Sequence, residues 1–86
     1  MRYRRLSFYV EWTDRKDISG ICHLLLNSGA WYLSVDEEMD QQYIPGQSFL
    51  HEHTVFQFRV SRSTPVHEML SSVASHPGVY SAGELT

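Results

Sequence analysis

The chain of 86 residues has one cysteine, Cys22, so no disulfide can form within it; that usage fits a reducing compartment. No apolar run approaches the ~20 residues a helix needs to cross a bilayer. The opening Met1-Arg2-Tyr3-Arg4-Arg5 has the basic start of a signal peptide, yet alternating residues follow it instead of an apolar stretch. Cations are also few: seven Lys and Arg against ten Asp and Glu leave a net charge of −3, which argues against nucleic acid as a partner. No nucleophile elbow, phosphate loop, CxxC pair or zincin pattern is present, so neither an enzyme nor a resident cofactor is expected. No repeat, linker or low-complexity segment interrupts the chain.

What is present suffices for one packed domain. Hydrophobic residues make up 42% and aromatic residues 13%, enough for a core in a chain of this size. The organising stretch is Leu6-Ser7-Phe8-Tyr9-Val10-Glu11-Trp12, where apolar and polar residues alternate as on a half-buried strand. Thr13, Asp14 and Asp17 are N-cap candidates for a helix whose stripe is Ile18, Ile21, Cys22 and Leu25. Asn27-Ser28-Gly29 ends that helix, the glycine suiting a left-handed C′ position. Gly20 lies inside it at a cost of about 1 kcal/mol relative to alanine, which implies a close packing contact there.

Trp31 to Val35 and Val55 to Val60 read as two further strands around the turn signal Pro45-Gly46. A two-residue turn there sets Trp31 against Val60, Leu33 against Phe58 and Val35 against Phe56. Every inward residue then meets an inward residue, and Tyr32 meets Arg59 on the outer face. L-Pro-Gly prefers a type II turn, whose twist suits a tight hairpin poorly, so the register near the tip stays open. Ser63-Thr64-Pro65 announces a second helix, with a hydroxyl cap and proline at its first position. Its stripe is Val66, Met69, Leu70 and Val73, and His76-Pro77-Gly78 stops it. Val79 to Leu85 is a last strand at an edge, weakened by Gly83.

Strand, helix, strand, strand, helix, strand with right-handed crossovers gives an α+β, ferredoxin-like βαββαβ sandwich of strand order 4-1-3-2. Both helices cover one face of the sheet. The uncovered face is expected to carry Tyr9, Glu11, Tyr32, Gln57, Arg59 and Tyr80. Tyrosines beside an arginine suit a protein–protein interface, most simply a homodimer through Tyr9, Tyr32, Arg59 and Tyr80. RNA-recognition domains share the topology, but His53-Thr54-Val55-Phe56-Gln57-Phe58-Arg59-Val60 lacks the glycine and basic residues of their third strand.

Three stretches invite other chemistry. In His51-Glu52-His53 the two histidines share a strand face, and the hairpin register sets Asp40 against His51 and Glu38 against His53. Those four residues could hold a divalent metal; the alternative is two solvated charge pairs on a protruding hairpin, each contributing roughly a few tenths of a kcal/mol. Asp36-Glu37-Glu38-Met39-Asp40 could attract Mg²⁺ or Ca²⁺, but strand alternation splits its carboxylates between two faces. Cys22 is expected to be a buried, inert thiol, and His76, near a helix end, to serve the helix dipole.

The layout resembles the ACT and ACT-like regulatory domains. The stretch Leu6 to Arg15, the helix ending at Asn27-Ser28-Gly29 and the strand Trp31 to Val35 carry that resemblance. Ligand-binding ACT domains have a glycine in the loop that here reads Asp14-Arg15-Lys16-Asp17-Ile18. The variant most similar is the soluble C-terminal domain of the MgtC/SapB family of bacterial membrane proteins, to which Pro77-Gly78-Val79 before the last strand also corresponds. The resemblance implies a non-enzymatic, cytoplasmic regulatory or interaction domain, cut from an inner-membrane protein associated with growth at low magnesium. On that reading Arg2, Arg4 and Arg5 follow a membrane segment and keep the domain cytoplasmic. The alternatives are a small-ligand (amino-acid) sensing ACT domain, or a metal-binding domain using the His51/His53 hairpin.

Overall fold

A computed structural model describes residues 2–37 and 52–85. Strand β1 runs Tyr3–Trp12, helix α1 Ile18–Asn27, β2 Trp31–Asp36, β3 His53–Ser61, α2 Val66–Ala74 and β4 Val79–Leu85. The strands form one antiparallel sheet in the order β2-β3-β1-β4. This is the ferredoxin-like βαββαβ layout, with the two longest strands, β1 and β3, at the centre. Both are longer than the hydrophobic pattern alone marks, because ladder hydrogen bonds continue through Tyr3, Arg4 and Arg5 opposite Ser61, Val60 and Arg59.

Even-numbered residues of β1 and β3 form the core. Leu6, Phe8, Val10 and Trp12 are buried with Phe56, Phe58 and Val60, against Ile21 and Leu25 of α1 and Met69 and Val73 of α2. Phe8 and Phe58 meet edge to face at 5.0 Å. Burying each such side chain stabilises by about 1.5–3 kcal/mol. The same core takes a polar pair with partners far apart in sequence: Trp12 Nε1 donates to Thr54 Oγ1 at 2.8 Å, with both residues almost fully buried.

Local chemistry explains the helix ends. Of the three cap candidates Asp17 is the one used, its carboxylate accepting from the Gly20 N–H at 3.0 Å. Gly29 follows α1 with φ of 105°, a conformation that costs glycine little. At α2 the expectation needs correction by one residue. Pro65 is the N-cap, not the first helical residue, and no side chain caps the helix. The Ser63 hydroxyl pairs with Ser61 Oγ instead, at 3.0 Å.

The β2–β3 register is as expected at Ser34, Val35 and Asp36, which oppose Gln57, Phe56 and Val55. It then slips by one, so Trp31 opposes Arg59 and not Val60. Tyr32 adopts φ of 52°, which makes a bulge in which Tyr32 and Leu33 together face Phe58. Leu33 therefore still packs on the core, while Trp31 turns to the outer face. A similar slip in β4 leaves Tyr80 as an extra residue between Val79 and Ser81.

Candidate interaction surface

Odd-numbered residues of β1 and β3 occupy the face without helices, and this face has two unlike halves. Toward the β1 C-terminus, Glu11, His53 and Val55 are buried. This corrects two expectations. Glu11 lies on the outer face but is not open to solvent, and His53 is not at a solvated tip. His53 sits within β3 directly opposite Glu11, and Ser81 Oγ donates to Glu11 Oε1 at 3.2 Å. Glu38, Asp40 and His51, the other members of the candidate metal set, lie outside the described residues, as does Pro45-Gly46. Among the described residues no three His, Cys, Asp or Glu side chains come together as a metal site would require.

The other half is open and cationic-aromatic. Arg59 projects from β3 between two rings, its guanidinium 5.0 Å from the centre of Tyr3 and 4.5 Å from that of Tyr32. Trp31 stands edge-on to Tyr3 at 6.3 Å. The contact expected between Tyr32 and Arg59 is thus present, although the bulge and not a direct register pairing creates it. Tyr32 is 74% exposed and Trp31 37%. Beside the stack an open groove of about 440 Å³ is lined by Arg5, Ser7, Tyr32, Ser34, Gln57 and Arg59 together with Leu6 and Phe58.

The remaining expected interface residues have separate situations. The ring of Tyr9 lies over Gly83 of the edge strand, so closely that a Cβ on Gly83 would sit 2.5 Å from Tyr9 Cε2. This aromatic cover compensates for the glycine in β4. Tyr80 is exposed in the β4 bulge, across the sheet from Arg59. The sequence reading missed Tyr3, Arg5 and Trp31. Running the β1 alternation back beyond Leu6 would have placed Tyr3 and Arg5 on the outer face, because the odd positions continue to the strand's start.

Away from this face, Asp17 joins the two helices. Its Oδ2 lies 2.7 Å from Nε2 of His76, which follows α2. The hydrogen bond from His76, and then that from the Gly20 N–H, hold the Asp17 carboxyl below its ordinary value. A Cβ on Gly20 would collide with Asp17 Oδ2 and lie 2.8 Å from His76 Nε2. That is the close contact the helix glycine implied, and it gives His76 a partner beyond the helix dipole. In the loop before α1, Lys16 pairs with Glu52 and with Glu37, which raise its pKa, Glu52 foremost. The Thr13 N–H and hydroxyl both donate to the Gly78 carbonyl, at 2.9 and 3.1 Å. Cys22 is only partly buried, and desolvation pushes its thiol up.

No protein-family model matches this chain, and neither the curated proteins nor the solved structures contain a match to it. Among the described residues no helix is long and apolar enough to cross a membrane.

Proposed function

We propose that this chain is a non-catalytic interaction domain of ACT-like type, which docks through the open half of its sheet onto a second copy of itself. The observation that carries this reading is the Tyr3–Arg59–Tyr32 stack with Trp31 beside it, standing on a sheet face that neither helix covers. Tyrosine, tryptophan and arginine are the side chains that dominate binding energy at protein interfaces. Here they are held by one another before any partner arrives, so less conformational freedom is lost on docking. A two-fold axis over this face would set each stack against its symmetry copy.

The narrower reading, a cytoplasmic regulatory domain of an MgtC/SapB-type inner-membrane protein linked to magnesium-limited growth, rests on the order of elements and the Pro77-Gly78-Val79 turn. A regulatory protein partner in place of a second copy would use the same face. Sedimentation equilibrium at about 100 μM tests the homodimer, since interfaces of moderate affinity still assemble there. The expected mass is twice the 10.0 kDa of one chain, with Tyr32→Ala weakening association by about tenfold or more, the signature of a hot spot. A single-chain mass at that concentration would sink the homodimer.

A further inference from the structure

We propose that Arg5 and Arg59 form a binding site for a small organic anion, bearing a phosphate or a carboxylate, in the groove between β1, β3 and β2. Arg5 and Arg59 are direct cross-strand partners on the outer face. Like charges in that position repel, yet neither arginine has an ion-pair or side-chain hydrogen-bond partner among the described residues. Among the described residues the Arg59 charge is met by the faces of Tyr3 and Tyr32, and Arg5 is exposed, so both can take an anion. Arg59 is pre-positioned for that task. The Tyr3 and Tyr32 rings hold its guanidinium at 5.0 and 4.5 Å from their centres, and the N–H groups of a guanidinium form the fork that matches two oxygens of a carboxylate or phosphate.

The walls agree with the same chemistry. Ser7 and Ser34 offer hydroxyls and Gln57 an amide, no carboxylate lines the groove among the described residues, and its volume of about 440 Å³ falls in the range of small-ligand sites. The wider field points the same way. Tyr3 opposes Ser61, and the Arg62 N–H donates to the Arg2 carbonyl at 3.4 Å, so the start of β1 and the end of β3 are adjacent. Arg2, Arg4, Arg5, Arg59 and Arg62 gather there, five of the chain's seven Lys and Arg, although the whole carries −3. Such clustering concentrates anions locally.

The inference rests on the open half-sheet as the working surface but not on the homodimer. The test titrates the full chain with inorganic phosphate, pyrophosphate and citrate, against chloride at matched ionic strength. It follows the arginine Nε–H signals by NMR and the melting temperature. Saturable binding by either anion class is expected, weakened about tenfold or more in Arg5→Gln and in Arg59→Gln and unchanged in Arg15→Gln. Phosphates alone would assign a phosphorylated ligand, citrate alone a carboxylate. Responses that merely follow ionic strength, or binding that survives both substitutions in folded protein, would overturn the site. Sedimentation of the same samples keeps the two readings apart, since a monomer that binds anions saturably supports the site while sinking the dimer.

Discussion

Replacing Thr54 by valine should be among the more damaging single-atom changes this domain can receive. The hydroxyl accepts the Trp12 indole N–H at 2.8 Å where both residues are almost completely removed from water. Valine fills the same space with a methyl group and leaves that N–H without a partner. An orphaned buried donor costs about 1–3 kcal/mol. In a domain of this size each kcal/mol lowers the melting temperature by about 4–8 °C, so a loss of about 4–24 °C is expected. Trp12→Phe should also destabilise, by orphaning the hydroxyl and leaving part of the ring's volume empty. The double variant should cost less than the sum, by about 1–3 kcal/mol, because a phenyl ring has no N–H to strand. Urea unfolding followed by far-UV circular dichroism measures all four proteins without depending on the tryptophan that is removed. If Thr54→Val is within about 0.3 kcal/mol of wild type, or the two changes simply add, the bond does not support the fold.

Two further outcomes probe other contacts. Gly83→Ala should destabilise by about 1–3 kcal/mol through overpacking against the Tyr9 ring, and Tyr9→Ala should remove most of that penalty; equal penalties in both backgrounds would mean that the ring is not the obstacle. Because Asp17 is held below the ordinary carboxylate value by hydrogen bonds from His76 and the Gly20 N–H, those bonds contribute stability that is fully present above that value and is lost as pH falls through the lower folded value. Urea midpoints measured from about pH 5 down to about pH 2 should therefore fall less in Asp17→Asn, which keeps a capping side chain, than in wild type; parallel curves would exclude the linkage.

The fold was legible because its elements depend on local period. Alternation from Leu6 to Trp12 and the stripes at Ile18–Leu25 and Val66–Val73 have one reading each, and the strand order follows from chain connectivity. The outer face was less legible, because its character is decided by backbone geometry that residue types do not announce. A tyrosine at φ of 52° carries nothing in its side chain that signals a bulge, yet Tyr32 in that conformation turns Trp31 outward and completes the stack on Arg59. His53 reads as a solvated residue beside Glu52 until β3 is seen to begin there, with Glu11 across from it. Gly20 is intermediate: its misfit in a helix was visible, but its cause is the Asp17 carboxylate lying across it together with its partner His76, 56 residues away.

The two slipped registers have a consequence for how copies of this chain can meet. Strand-by-strand growth of a sheet needs a straight, evenly spaced row of backbone N–H and C=O groups along its border. Here both borders break that row, at Tyr32 in β2 and at Tyr80 in β4. A bulge also increases local twist, so an incoming extended chain loses alignment after a few residues. The sheet is in effect hemmed on both sides. Copies that approach edge to edge find a poor template for a continuous ribbon, and the native domain is steered away from the open-ended stacking through which small, tyrosine-rich sheets turn into fibres.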